Sequence, residues 1–229
     1  MGKYDSKGTY AGYNKNSKER AALDYYSTPP EEVTNILNHL NIDFSYQTIL
    51  EPSCGGGHMV KGISDYLEQN PSKANSTKII ATDIAKREGK FYQEWFKTGE
   101  EYDFVNPDYP IKKDVDWIIM NPPYATIEYH VLRALEIAKK GVILLGRLQF
   151  LETQGRYEHI FKDNPPVDTY IYVDRISCLK NGEGKGDGIQ AYAWYVFKGH
   201  YLDNVFNGTI KPTTKSELHW IESMKYKKK

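Results

Sequence analysis

Residues 47–59, QTILEPSCGGGHM, decide the fold. An apolar strand candidate ends at Glu51, three consecutive glycines follow it, and a helical pattern begins at His58. Glycine tolerates the sharp turn between a strand and the next helix, and it lets a ligand approach the backbone closely. The stretch therefore predicts the first strand and helix of an open α/β sheet, with a ligand site at the turn. The alternative is a tight turn that binds nothing.

The glycines do not match the patterns that bind phosphate groups. The dinucleotide pattern GxGxxG would need a glycine at the position of Val60, and the pattern GxxxxGK[ST] is absent. Glu51 lies just before the turn, where a carboxylate repels a phosphate and attracts a cation. The turn therefore favours a cationic cofactor, and a dehydrogenase of the Rossmann type is the weaker interpretation.

Strand and helix patterns alternate on both sides of this turn. A helical pattern over residues 28–40 comes before it, and three further strand candidates, each followed by a helical pattern, come after it, at residues 77–84, 116–123 and 141–146. The helical patterns that follow these strands are residues 89–99, 126–140 and 151–163. The last two strand candidates, 168–174 and 189–199, have no helix between them. The order predicts a doubly wound, mainly parallel α/β sheet with an antiparallel C-terminal hairpin at one edge.

Composition is typical of a protein with one folded domain. The chain has 229 residues, of which 40% are hydrophobic, and its longest apolar runs are too short to span a bilayer. The two cysteines, Cys54 and Cys178, form neither a disulfide framework nor a metal cluster. We therefore expect a cytoplasmic protein with no metal site and no membrane contact.

Basic residues concentrate at both ends of the chain. Residues 1–20 carry five basic against two acidic side chains, and residues 209–229 carry six lysines against two glutamates, although the formal net charge is +0. We divide the chain into a flexible polar tail (1–23), a folded domain (24–205) and a basic C-terminal tail (206–229). The tails are either solvated ends, or segments that offset an acidic body when the protein approaches a polyanion.

Acidic residues after the glycine turn suit a nucleoside. Asp83 ends the second strand candidate, where a carboxylate can accept both hydroxyls of a ribose; the alternative is a helix cap. In EYDFVN, Asp103 could accept the amine of an adenine and Phe104 could stack on its ring. The alternative there is a short strand with a core phenylalanine.

The segment NPPY, residues 121–124, directly follows an apolar strand candidate. The two prolines fix the backbone, so that the Asn121 side-chain oxygen and the Pro122 carbonyl are held in place as hydrogen-bond acceptors. Two acceptors aimed at the protons of a planar amine make its nitrogen more nucleophilic, and Tyr124 could stack on the ring that carries it. The motif therefore predicts chemistry on the amine of a planar group.

Taken together, these segments resemble the S-adenosylmethionine-dependent DNA adenine-N6 methyltransferases of phages and restriction–modification systems. The resemblance runs from about Asp24 to His200. The segments that carry it are, in chain order, DYYSTPP (24–30), EPSCGGG (51–57), NPPY (121–124), GRLQFLETQGR (146–156) and AYAWYVF (191–197). It implies the class I methyltransferase fold, with a seven-stranded Rossmann-like sheet, and it makes residues 24–205 the catalytic domain.

The resemblance also implies the roles of single residues. Asn121 and Pro122 polarise the N6 amine of an adenine flipped out of DNA, with Pro123 keeping the turn rigid, and Tyr124 stacks on that base. The methyl group moves in line from the sulfonium to the nitrogen. The residues implied at S-adenosyl-L-methionine are Tyr26, Thr28, Glu51, Gly55 and Gly57 at the methionine end, Asp83 at the ribose, and Asp103 and Phe104 at the adenine.

The target-binding residues and the acceptor are less determined by the sequence. Phe150 could cover the second face of the base, and Arg147 or Arg156 could contact phosphate; the alternative is a helix with a core phenylalanine. We expect DNA as partner, together with a second copy of the chain or a partner subunit. The alternatives are an acceptor in RNA (adenine N6 or guanine N2), a protein glutamine, or a non-catalytic subunit that binds DNA.

Overall fold

A mainly parallel sheet between two helical layers forms the body of the protein. The structure is a computed structural model, and it describes residues 26–86, 88–111, 113–180, 190–199 and 215–225. The tail that we assigned to residues 1–23 lies outside these ranges. The strands are β1 (Tyr26–Ser27), β2 (Thr48–Glu51), β3 (Lys78–Asp83), β4 (Lys97–Thr98), β5 (Trp117–Met120), β6 (Gly141–Arg147), β7 (Asp168–Tyr172), β8 (Leu179–Lys180), β9 (Tyr192–Lys198) and β10 (Glu217–Ile221).

Strand pairing confirms the predicted fold class. Eight described strands form one sheet in the order β10-β7-β9-β6-β5-β2-β3-β4, which is one strand more than the seven that the resemblance implies. β2 lies between β3 and β5 and is parallel to both, and β6 is parallel to β5. β9 is antiparallel to its two neighbours, β6 and β7, and with β7 it forms the predicted antiparallel C-terminal pair. The pair does not lie at the predicted edge of the sheet, because β10 lies outside β7. The remaining strands, β1 and β8, form a separate antiparallel pair.

Helices cover both faces of this sheet. They are α1 (Pro30–Leu40), α2 (His58–Gln69), α3 (Ile127–Ile137) and the short α4 (Gln154–Arg156), which continues as a π-helical turn over Tyr157–Phe161. Central strands bury alternate residues on opposite faces: Ile118 packs in the layer of α3, whereas Ile119 packs in the layer of α1 and α2. Burial on both faces explains why the sequences of these strands are continuous apolar runs. No helix of the described residues is long and apolar enough to span a bilayer.

Two segments differ from the sequence prediction. We predicted a helix over residues 89–99, but the structure has turns there and then the two-residue strand β4. The turns pack on the glycine loop, since the Phe91 N–H donates to the Gly56 carbonyl at 3.0 Å. The range 206–229, assigned to a tail, contains β10, which pairs in parallel with β7 at the edge of the sheet.

Close packing of α1 on α2 depends on Gly62. A Cβ atom at this position would lie 2.4 Å from the Pro30 carbonyl oxygen and 2.5 Å from Val33 Cβ. The Thr34 hydroxyl also donates to the Gly62 carbonyl at 3.0 Å. A side chain would therefore push the two helices apart.

We expect Gly62→Ala to lower the free energy of unfolding by about 1–3 kcal/mol, as overpacked sites do. Urea denaturation measures the change. Gly155→Ala is the matched control, because no atom lies within 4 Å of the Cβ position at this helical glycine. The packing argument is wrong if the two variants have equal stability.

Candidate active site

The carboxyl ends of four parallel strands meet at one edge of the sheet. Glu51 ends β2, Asp83 ends β3, Asn121 directly follows β5 and Arg147 ends β6. In open α/β sheets, ligands bind in the crevice outside this edge. The fold therefore brings together side chains from four of the predicted segments of the site.

The Asn121 side chain is oriented by two hydrogen bonds from its nitrogen. Nδ2 donates to the Tyr26 carbonyl oxygen at 2.8 Å and to the Thr28 hydroxyl at 3.1 Å. The other amide atom, Oδ1, is buried and has no hydrogen-bond partner among the described residues. Buried acceptors without a partner are rare in folded proteins. Oδ1 is thus a hydrogen-bond acceptor that is fixed in position and that no described residue uses.

Tyr26, Ser27 and Thr28 form a segment over Asn121 that we call the N-terminal strap. Its strand β1 pairs with β8, and the Ser27 hydroxyl donates to the Leu179 carbonyl at 3.2 Å. Ser27 and Thr28 are buried. Sequence reasoning placed Tyr26 and Thr28 at the cofactor but missed their contact with Asn121, since no local pattern signals it.

Next to Asn121, the prolines shape the turn that positions Tyr124. Pro122 is buried, and the Pro123 carbonyl accepts hydrogen bonds from the Thr126 N–H at 3.0 Å and from its hydroxyl at 3.2 Å. A turn of 310 helix then runs over Tyr124–Thr126. The prolines thereby set the direction in which both the asparagine and the tyrosine leave the strand.

Neighbouring side chains already contact the Tyr124 ring. The Tyr26 ring stacks beside it, with a centroid distance of 5.9 Å, and the Arg147 guanidinium lies 4.3 Å from its centroid. Burial raises the pKa of the Tyr124 hydroxyl above its ordinary value, so the ring is neutral. We predicted that Arg147 contacts phosphate and that Tyr124 stacks on a base. Both remain predictions, and Arg147 must leave the ring to reach a phosphate.

Asp83 holds the glycine loop by its backbone. Its carboxylate accepts the Gly55 N–H at 2.8 Å and the Ala85 N–H at 2.9 Å, and the side chain is buried. Gly55 and Gly57 both have positive φ, and a Cβ on Gly57 would lie 2.3 Å from the Phe91 carbonyl oxygen. The loop therefore requires glycine at position 57. A ribose contact of Asp83 remains a prediction.

Glu51 lines a small cavity together with Asn121 and the strap. Oε1 accepts the Ser53 N–H at 2.9 Å, whereas Oε2 is buried without a partner among the described residues. The cavity is lined by Tyr26, Ser27, Thr28, Glu51, Ser53, Cys54, His58, Met59 and Asn121. Its volume of about 20 Å³ holds one small group. The cavity therefore has room for one end of a nucleoside cofactor but not for the whole molecule.

Burial raises the pKa of Glu51 well above its ordinary value of 4.5, and the neighbouring Asp83 raises it further. A carboxyl group whose folded-state pKa is raised stabilises the fold at low pH. This contribution is lost as the pH rises through the folded-state pKa. Ionisation of Glu51 is thus expected to destabilise the ligand-free protein.

We expect wild-type stability to fall relative to Glu51→Gln as the pH rises above about 4.5, because glutamine does not ionise. Urea denaturation at several pH values between 4.5 and 8 measures the difference. Glu68→Gln, at an exposed position of α2, is the control and should show no such trend. A difference that stays constant with pH would contradict the buried ionisation of Glu51.

Three other predicted residues lie mainly among protein atoms. Phe104 is 2% exposed and packs edge-to-face on Tyr109, at a centroid distance of 5.2 Å, and the neighbouring Asp103 is also buried. Phe150 is 2% exposed and packs edge-to-face on Tyr195 at 5.3 Å. Their contacts with adenine and with a flipped base remain predictions.

Arg156 caps a turn of its own chain. Its Nη1 donates to the carbonyl oxygens of Gln149, Phe150 and Glu152 at 2.9, 3.4 and 3.3 Å. The guanidinium also lies 5.6 Å from the Phe150 ring centroid. A phosphate contact of Arg156 remains a prediction, and it would compete with these bonds.

Three solved structures share this fold at low sequence identity. A proposed class I S-adenosylmethionine-dependent methyltransferase of Listeria monocytogenes aligns with 85% of the chain, at a TM-score of 0.59 and 11% identity. The modification subunit of a proposed type I restriction enzyme of Vibrio vulnificus aligns with 86% of the chain, at a TM-score of 0.57 and 12% identity. The methyltransferase subunit of a type I restriction–modification system of Streptococcus thermophilus aligns with 80% of the chain, at a TM-score of 0.52 and 9% identity. The likeness shows that the chain has the class I methyltransferase fold.

The chain covers only part of these structures, namely 65%, 47% and 47% of their respective lengths. No protein-family model and no curated protein matches the sequence. The comparisons establish the fold, and the chemistry has to be argued from the side chains at the sheet edge.

Proposed function

We propose that this protein transfers a methyl group from S-adenosyl-L-methionine to the N6 amine of adenine in DNA, by base flipping and direct in-line transfer. The observation that carries the proposal is the partnerless Oδ1 of Asn121. The strap holds the Asn121 side chain, and two prolines and a tyrosine follow it in the sequence. Asn121 also lines one cavity together with Glu51 and His58, which stand on either side of the glycine loop in the sequence.

An aromatic amine is a poor nucleophile, because its lone pair is delocalised into the ring. Asn121 Oδ1 and the Pro122 carbonyl would accept hydrogen bonds from the two N–H groups of the amine and draw its nitrogen toward a tetrahedral form. The acceptors stabilise the positive charge that develops on the nitrogen, and being fixed beforehand they require little reorganisation. A strong general base is not required, since the nitrogen loses its extra proton after it is alkylated.

The residues at the sheet edge fit this cofactor. The partnerless Oε2 of Glu51 suits the ammonium group of a methionine moiety, and the three glycines of the loop have no side chain that would keep a ligand away from the backbone. Asp83 accepts a hydrogen bond from the Gly55 N–H of this loop, and it is the proposed partner of the ribose. When bound, S-adenosylmethionine supplies an electrophilic methyl group on a sulfonium.

DNA is the acceptor that the sequence resemblance favours, through YYSTPP and the segments after NPPY. Two of the structures that share the fold are described as subunits of type I restriction–modification enzymes, which supports DNA as substrate and a partner subunit or second copy as partner. Tyr124 is proposed to stack on the flipped base, once Arg147 has turned toward a phosphate. The proposed location is the cytoplasm.

The test is mass analysis of DNA, RNA and protein after incubation with the protein and isotope-labelled S-adenosylmethionine. We expect label in N6-methyladenine of DNA. Label in RNA bases or in protein glutamine, with none in DNA, would overturn the choice of acceptor. Absence of S-adenosylmethionine binding by calorimetry would favour a non-catalytic subunit instead. Methylation-sensitive sequencing of DNA from cells that express the protein then identifies the target sequence.

A further inference from the structure

His58 brings a third partnerless atom to the cavity beside the glycine loop. It is the first residue of α2, its side chain is 8% exposed, and its Nδ1 is buried without a partner among the described residues. The same cavity receives Glu51 and Asn121, each with its own partnerless oxygen. Three such atoms around one cavity indicate a polar ligand group, and two of them lie outside the NPPY motif.

The imidazole is held in place by the segment that follows β3. Its ring meets the Phe91 ring edge-to-face, with a centroid distance of 5.0 Å and an interplanar angle of 84°. Phe91 is itself tied to the glycine loop by its N–H bond to the Gly56 carbonyl. Burial lowers the pKa of His58 below 6.5 and nearby Lys90 lowers it further, so the ring is neutral at pH 7. A neutral ring can present one N–H to a ligand.

Opposite kinds of charge are favoured on the two sides of the cavity. On the His58 side lies the N-terminus of a 12-residue helix whose N-cap, Gly57, provides no side-chain cap. The unsatisfied N–H groups and the helix dipole there favour an anion. On the other side lies the Glu51 carboxyl group. Burial raises its pKa in the ligand-free protein, and a cation placed beside it would favour its ionised form. The pair suits a zwitterion of the α-amino acid type.

We propose that His58 is a cofactor-binding residue, which donates its Nδ1–H to the α-carboxylate of S-adenosylmethionine while Glu51 accepts the α-ammonium. This assignment rests on the proposed function. It predicts that the protein selects nucleosides that carry an intact amino-acid end, and that His58 contributes to this selection.

Calorimetry with two nucleosides tests the assignment. S-adenosylhomocysteine carries the amino-acid end, whereas 5′-methylthioadenosine lacks it. Since a hydrogen bond to a charged group is worth a factor of about 10 to 100 in affinity, His58→Leu should lose about that factor for S-adenosylhomocysteine. Its affinity for 5′-methylthioadenosine should change less than about threefold. His58→Asn, which can offer a side-chain N–H near the position of Nδ1, should recover most of the loss.

Lys61→Ala, on the same helix, is the control and should bind both nucleosides like the wild type. Equal losses for both nucleosides in His58→Leu would overturn the assignment, because they would mean that His58 only supports the loop. An unchanged affinity for S-adenosylhomocysteine would overturn it too. If the wild type itself binds neither nucleoside, the proposed function fails and the assignment fails with it.

Discussion

Asn121→Ala is expected to slow methyl transfer by about 10²- to 10³-fold while the affinity for S-adenosylmethionine stays within about threefold of wild type. Removal of one preorganised group that stabilises transition-state charge has effects of this size in other enzymes. The group removed here is Oδ1, which is buried, partnerless and fixed by the two bonds from Nδ2. Single-turnover assays with labelled cofactor measure the rate of methyl transfer, and calorimetry measures the affinity for S-adenosylmethionine.

Asn121→Asp separates the two roles of the amide. A carboxylate keeps an acceptor at this position but cannot donate to the Tyr26 carbonyl or the Thr28 hydroxyl, so the acceptor is less well aimed. We expect turnover between those of wild type and Asn121→Ala. If cofactor affinity fell as much as turnover in Asn121→Ala, the asparagine would act on the cofactor and not on the amine.

Asp83→Ala should have the opposite signature, with a loss of about 100-fold or more in cofactor affinity and a much smaller loss of turnover at saturating cofactor. Two contributions add up: the proposed ribose contact disappears, and the Gly55 and Ala85 N–H groups lose a charged acceptor. Hydrogen bonds to charged groups typically contribute about 1.5–3 kcal/mol each. Calorimetry and turnover at several cofactor concentrations distinguish the two parameters.

Asp83→Asn is the control for loop anchoring, because its side-chain oxygen can still accept one backbone N–H. It should keep more thermal stability than Asp83→Ala and still bind the cofactor weakly. Wild-type affinity for S-adenosylmethionine in Asp83→Ala would contradict the proposed role of this carboxylate.

The alternation of strands and helices, and with it the mainly parallel sheet, could be predicted because its signals are local. Each of these signals, namely the apolar runs, the glycine turn and the missing helix before β9, can be recognised from a short stretch of consecutive residues. β10 was not predicted, because ELHWI lies in a lysine-rich stretch and forms an edge strand that is buried only in part. Pairing with β7 is a contact between distant parts of the sequence, and composition does not reveal it.

Local signals also account for the part of the candidate site that the sequence predicts. NPPY and the glycine loop identified Asn121 and Glu51 from the chemistry of short motifs. The strap bonds to Asn121 join residues 95 and 93 positions apart, and no periodicity reports such a distance. Phe150 shows a further limit: an aromatic side chain near a strand end can face a ligand or the core, and the sequence does not reveal its packing on Tyr195.

The strap also sets the order in which the molecule can assemble. Ser27 bonds to Leu179, which follows it by 152 positions, so this contact closes a very long loop. Contacts of such separation form late in folding, because the entropy of closing the loop must be overcome first. A growing chain that already contains β2, β3 and β5 still lacks β8, against which the strap docks. Asn121 therefore gains its fixed orientation only after residues 179–180 have been synthesised, and translation products that end before β8 are expected to be inactive.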